Sequence, residues 1–150
     1  MGSGIKQKGL SPILIVVFLI GTVWELCTTF LGIISITGGK EFTISTASLS
    51  NIDQFGIYAM ALVGSGIVFG FNLATPAIWE EAREGTWTWM VLWFPCIVFD
   101  FFTSLAGNYR LIPSSRADNI SATAVVWFIT ILVIISPMML RYLIVDYSQD

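Results

Sequence analysis

Four long apolar stretches constrain the fold of this 150-residue chain more than any other feature. They cover about residues 12–36, 54–79, 87–105 and 121–145. A helix needs about 20 apolar residues to cross the hydrocarbon core of a bilayer. A backbone surrounded by lipid must also satisfy its own hydrogen bonds, which favours helices. The sequence therefore predicts an all-α membrane protein with four transmembrane helices in a compact bundle, as a single integral membrane domain over residues 1–150.

The composition agrees with a membrane protein and argues against several function classes. Only 11% of the residues are charged, whereas a soluble domain has about 25% charged residues. The net charge of −3 is accompanied by no basic patch, so no nucleic-acid partner is expected. The chain has no histidine, the commonest general base and metal ligand. We therefore expect no enzymatic activity, no metal and no cofactor, and we expect Cys27 and Cys96 to be buried small side chains.

Turn-forming residues predict where the helices begin and end. Ser11 and Pro12 are typical of the start of the first helix. Ser50 begins a Ser-Asn-Ile-Asp capping pattern before the second helix. Gly85 is expected to end an aqueous extension of the second helix, and Thr86 to cap the third. Because the turn between them is short, the second and third helices should be antiparallel neighbours.

The distribution of Lys and Arg near the helix ends predicts the orientation. With four crossings, both termini lie on one side of the membrane. That side has four basic residues and the other has three, namely Lys6, Lys8, Arg83 and Arg141 against Lys40, Arg110 and Arg116. We therefore expect both termini to face the cytoplasm from the plasma (inner) membrane.

Two acidic residues lie inside apolar stretches and share one local pattern, acid-x-x-Thr-(Ser/Thr)-x-x-Gly. It begins at Glu25 in the first stretch and at Asp100 in the third. A carboxylate inside a bilayer is costly, so these residues should face the bundle interior or a partner subunit. Thr28 and Thr103, three residues later, share a helical face with the acids and are placed to donate hydrogen bonds to them. The candidate ion or polar pathway comprises Glu25, Thr28, Thr29, Asp100, Thr103 and Ser104.

Glycines predict where helices approach each other closely. Gly32 and Gly107 end the two acid patterns and lie on the same faces as the acids. The second helix contains Gly64 and a small-residue ridge made of Gly66, Gly70 and Ala74. Either another helix of the same chain or a helix of a second copy could pack against this ridge. The sequence does not distinguish these two possibilities.

The two halves of the chain share a further feature. Thr75-Pro76 lies late in the second helix and Ser136-Pro137 late in the fourth, and a proline there kinks a helix. One interpretation is a duplicated helical hairpin, with a pseudo-two-fold axis along the membrane normal. Chance resemblance between apolar segments is the alternative.

Three functions are compatible with buried acids in such a bundle. The leading interpretation is a small channel or transporter subunit that moves a cation or proton past Glu25 and Asp100 in an oligomer. The main alternative is a non-transporting structural or accessory subunit whose neutral acids lock helix packing. In a third account the acids dock a charged partner helix. The expected partners are the lipid bilayer and either a homo-oligomer or other membrane subunits.

Overall fold

A computed structural model describes residues 10–38, 52–111 and 120–148, which form a bundle of four helices. The helices are α1 (Leu10–Gly38), α2 (Ile52–Arg83), α3 (Thr88–Leu111) and α4 (Ile120–Ser148). All four are long and apolar enough to cross a membrane, and each packs against the other three. The predicted fold class is confirmed.

The bundle has an apolar exterior and a polar interior. Only 22–33% of the residues in the apolar window of each helix are buried, and large hydrophobic side chains cover the outside. The buried residues include many hydroxyl, amide and carboxyl groups, among them Glu25, Thr28, Thr29, Asn72, Asp100, Thr103, Ser104 and Thr130. Lipid is the solvent that suits such an exterior. Packing inside then depends on close contact and hydrogen bonds, because apolar burial gives little driving force within a bilayer.

Gly85 ends α2 as the sequence predicts, whereas α3 begins at Thr88, two residues after the predicted cap at Thr86. Gly85 has a φ of 97°, in the left-handed region that favours glycine. Its N–H donates to the carbonyl of Ala82 at 3.1 Å, and the N–H of Thr86 donates to the carbonyl of Glu81 at 3.0 Å. These two bonds define a Schellman motif, which satisfies carbonyls left over at the end of α2.

Several helix ends differ from the predicted ones. α3 begins at Thr88 and continues six residues past the predicted end at Leu105, to Leu111. Gly107 and Asn108, which suggest a loop by sequence, are buried within the helix. Tertiary contacts, described below, hold this last part of α3 against α1 and α4. α1 begins two residues early, and α4 extends three residues past its predicted end. Ser50 of the predicted capping pattern lies outside the described residues.

Prolines inside the helices alter the hydrogen bonding near the middle of the bundle. Pro76 in α2 has no N–H for the carbonyl of Asn72, four residues earlier. The hydroxyl of the preceding residue, Thr75, donates to the carbonyl of Phe71 at 3.0 Å. Close by, the Arg141 guanidinium of α4 donates to the carbonyl of Leu73. This basic side chain therefore binds the α2 backbone three residues before Pro76.

Candidate functional site: a buried carboxyl pair

α1 and α3 cross in direct backbone contact. Gly32 of α1 packs against the main-chain carbonyl of Thr103, and Gly107 of α3 packs against that of Thr28. A methyl group added at either glycine would overlap the facing carbonyl oxygen. The two glycines thus lie where the backbones of α1 and α3 approach each other most closely. The contact is reciprocal, because each helix contributes one glycine and one threonine carbonyl.

This crossing brings the two acids to one buried position. Glu25 and Asp100 are both 0% exposed. Asn72 of α2, 1% exposed, lies between them. Its amide nitrogen Nδ2 donates to Glu25 Oε1 at 3.0 Å and to Asp100 Oδ2 at 2.7 Å. One amide from a third helix thus joins the two carboxyl groups, which we call the carboxyl pair.

The hydroxyl groups of Thr29 and Ser104 lie beside the Asp100 carboxyl group. Thr29 Oγ1 donates to Asp100 Oδ1 at 2.8 Å and lies 2.8 Å from Ser104 Oγ. Ser104 Oγ is also 3.4 Å from Asp100 Oδ1, at the limit of a hydrogen bond. Thr29 and Ser104 are both fully buried. They therefore form a hydroxyl cluster on the Asp100 side of the pair.

The prediction that the hydroxyls of Thr28 and Thr103 donate hydrogen bonds to the acids is wrong. The Thr28 hydroxyl donates to the main-chain carbonyl of Glu25 at 3.0 Å. The Thr103 hydroxyl donates to the carbonyls of Phe99 and Asp100 at 2.9 and 3.0 Å. Both threonines are thus bonded to their own helix rather than to a carboxyl side chain. The next residue in each pattern, Thr29 or Ser104, faces the acids instead.

Neutral groups supply the hydrogen bonds to the pair. Within the described part of the chain, the two carboxyl groups lie within hydrogen-bonding reach of each other, and the other residues that donate to them are Asn72, Thr29 and Ser104. Two acceptor atoms, Glu25 Oε2 and Asn72 Oδ1, are buried without a hydrogen-bond partner among these residues. An ionised carboxylate taken out of water needs a compensating positive charge or a proton. The arrangement is therefore suited to hold one.

A second polar network lies beside the pair. Trp24 Nε1 donates to Asn108 Oδ1 at 3.0 Å, and Asn108 Nδ2 donates to Thr130 Oγ1 at 3.0 Å. Another tryptophan, Trp127, packs against the Phe101 ring with centroids 5.4 Å apart. This network links α1, α3 and α4, and it explains why α3 remains helical beyond Leu105.

The glycines of α2 divide between two surfaces. Gly64 faces α1, where an added Cβ would lie 3.0 Å from Ile33 Cδ1. Gly66 and Gly70 have no atom within 4 Å of an added Cβ. Together with Ala74 they line an outward groove of about 460 Å³. The small-residue ridge is therefore not used for packing among the described helices.

Sequence reasoning identified both acids but missed the roles of the two buried asparagines. Asn72 and Asn108 are isolated amides in apolar stretches, and that isolation was the available signal. The expectation that Cys27 and Cys96 are buried is wrong, because Cys27 is exposed on the apolar outer surface and Cys96 is half-buried. Among residues 10–38, 52–111 and 120–148, no group of three or more Cys, Asp or Glu is placed to hold a metal ion. Comparison with protein-family models, with curated proteins and with solved structures gives no match.

Proposed function

We propose that this protein moves a proton or a small cation across the membrane, with the carboxyl pair as its ion-binding site. One observation supports the proposal most strongly. Glu25 and Asp100 are fully buried among neutral donors, and a single amide joins them. Acidic residues inside membrane helices are typical of ion and proton pathways. When both acids are ionised, the site carries two negative charges, and a proton or a cation would neutralise them.

Burial of the pair favours a carrier mechanism over a permanently open pore. Both acids are 0% exposed, so an ion reaches them only when the helices move apart. α2 is the helix best suited to move. It contributes Asn72 to the site, and its Pro76 lies one turn later. A proline kink gives the helix a place to bend.

The proposal includes an internal duplication of the helical hairpin. Three pairs of residues at the crossing are each 75 positions apart in the chain, namely Glu25 and Asp100, Thr29 and Ser104, and Gly32 and Gly107. The reciprocal contacts of the two glycines with Thr28 and Thr103 agree with a pseudo-two-fold relation between α1 and α3. Repeats of this kind place binding sites at the repeat interface, which is where the carboxyl pair lies.

The proposal also includes self-association and a membrane location. The open ridge of Gly66, Gly70 and Ala74 on α2 is a small-xxx-small surface suited to the same ridge of a second copy. The carboxyl pair lies within one chain, so the oligomer is not needed to complete the site. We place the protein in the plasma (inner) membrane with both termini in the cytoplasm, on the Lys and Arg distribution alone.

A structural role is the second candidate, and a specific observation favours it. The pair and its hydroxyl partners tie α1, α2 and α3 together. Two protonated acids in such a network would stabilise the bundle without moving an ion. The two candidates predict different behaviour when the acids are replaced by amides of the same shape.

Flux into proteoliposomes separates the two candidates. The double variant Glu25→Gln/Asp100→Asn keeps the size of both side chains and removes both ionisable groups. A matched control, Glu80→Gln/Glu84→Gln, changes two exposed acids near the α2–α3 turn. We expect proton or cation flux in the wild type and in the control, and flux at the level of empty vesicles in the double variant. Equal flux in all three, or none in the wild type, would favour the structural role.

A further inference from the structure

The carboxyl pair is surrounded by more oxygen atoms than a proton needs. Besides the carboxylate oxygens of Glu25 and Asp100, two hydroxyls lie at the same place. Thr29 Oγ1 is 2.8 Å from both Asp100 Oδ1 and Ser104 Oγ. Carboxylate, hydroxyl and amide oxygens are the ligands that hard cations prefer. The site thus offers a cation several oxygen ligands from α1 and α3.

Two of the acceptor atoms at the site have no donor. Glu25 Oε2 and Asn72 Oδ1 have no hydrogen-bond partner among the described residues. Glu25 is 0% exposed and Asn72 is 1% exposed, so bulk water does not satisfy them. Buried polar groups without partners are rare, and each requires an explanation. A cation bound at the carboxyl pair would satisfy Glu25 Oε2 directly, and it would satisfy Asn72 Oδ1 once the amide has turned its oxygen toward the acids.

The charge of the site and its isolation from bulk water favour a monovalent cation over a divalent one. One monovalent cation together with one proton would neutralise two carboxylates. The cost of removing an ion from water into a dry interior rises steeply with its charge, which disfavours a divalent ion here. Ca²⁺ also takes six to eight oxygen ligands and Mg²⁺ keeps several waters. An enclosed site with only two acids suits neither.

We propose that the carboxyl pair binds a dehydrated monovalent cation of the Na⁺ class. This inference rests on the proposed function and names its ion. Glu25, Asp100, Thr29 and Ser104 supply oxygens, and Asn72 supplies its amide oxygen. In the structure Asn72 Nδ2 faces the acids, so the amide turns over when the cation binds. The two ends of an asparagine amide are nearly equal in shape, so this rotation needs no extra room.

Cation binding by the purified full-length protein in nanodiscs tests this inference. ²²Na⁺ binding and the thermal unfolding midpoint are followed as NaCl replaces choline chloride. We expect saturable binding and an unfolding midpoint that rises with Na⁺ concentration, since a ligand of the native state stabilises it. Thr29→Val removes one oxygen and should weaken Na⁺ binding by about 10–100-fold.

Thr130→Val is the matched control for Thr29→Val. Thr130 is equally buried, but its hydroxyl bonds Val126 and Asn108 rather than the acids. Its removal should leave Na⁺ affinity unchanged. Glu25→Gln serves as a second variant if Thr29→Val does not fold, and it should abolish Na⁺ binding because it removes one of the two ionisable groups. Equal weakening by the Thr29 and Thr130 variants would overturn the inference.

Proton flux by the same protein in vesicles separates this inference from the proposed function. No ²²Na⁺ binding above the choline background, or displacement of Na⁺ by equimolar Ca²⁺ or Mg²⁺, would overturn the Na⁺ assignment. If proton flux is nevertheless present and is lost in Glu25→Gln/Asp100→Asn, the carboxyl pair still moves protons and only the further inference fails. Absence of both Na⁺ binding and proton flux would overturn both.

Discussion

Gly32 of α1 lies directly against the main-chain carbonyl of Thr103 in α3, with no room for a side chain between them. The equivalent contact of Gly107 with Thr28 lies on the other side of the same crossing. These contacts set how closely the two acid-bearing helices approach. Because Glu25 and Asp100 each precede the glycine of their helix by seven residues, the crossing also positions the carboxyl pair.

Alanine at the crossing should destabilise the bundle. Gly32→Ala or Gly107→Ala forces a methyl group against a backbone carbonyl, and overpacking of this kind costs about 1–3 kcal/mol. Gly66→Ala is the matched control, because its added methyl group meets open space. Alanine is the better helix former, so the control should be neutral or stabilised by up to about 1 kcal/mol. Thermal unfolding in detergent measures all three, and equal stability of all three variants would contradict the close crossing.

Removing the amide of Asn72 should affect both stability and flux. Asn72→Leu leaves the two carboxyl groups without their shared donor, which should cost about 1–3 kcal/mol. Asn108→Leu is the matched control, since Asn108 is a buried amide bonded to Trp24 and Thr130 rather than to the acids. Both variants should lower the unfolding midpoint, but only Asn72→Leu should abolish flux. Loss of flux in both would mean that overall stability, not the site, limits transport.

The turn between α2 and α3 offers a test of the backbone geometry. Gly85 has a φ of 97°, and a residue with a Cβ in a left-handed conformation costs roughly 1–2 kcal/mol. Gly85→Ala should therefore lower the free energy of unfolding by that amount. Asparagine tolerates this conformation better, so Gly85→Asn should cost less. An alanine variant as stable as the wild type would contradict the Schellman motif.

Filling the open ridge of α2 should prevent self-association without harming the fold. Gly70→Leu places a large side chain where nothing lies within 4 Å of the added Cβ, so the monomer has room for it. Gly56→Leu is the control, because Gly56 is also open but lies outside the ridge. Crosslinking in native-like membranes should give a dimer for the wild type and for Gly56→Leu, and a monomer for Gly70→Leu. A dimer in all three would place the interface elsewhere.

The sequence was sufficient for the four spans because apolar length alone decides whether a helix crosses a membrane. It also indicated that Glu25 and Asp100 face inward, since lipid excludes a carboxylate. The position of Asn72 between them depends on how α2 is rotated about its axis, which packing decides. In the same way, Gly107 and Asn108 suggest the end of a helix. Their contacts with α1 and α4 outweigh that local preference. The periodicity of apolar residues in the sequence does not reveal such contacts.

The central claim is that Glu25 and Asp100 form one ion-binding site, and the initial rate of flux in single and double variants tests it most directly. Residues that act as a unit have strongly non-additive effects. We predict that Glu25→Gln alone, Asp100→Asn alone and the double variant all reduce flux to the background of empty vesicles, with each protein folded and reconstituted equally. Partial losses in the single variants that multiply in the double variant would show two independent groups. Undiminished flux in the double variant would show that the carboxyl pair is not the site.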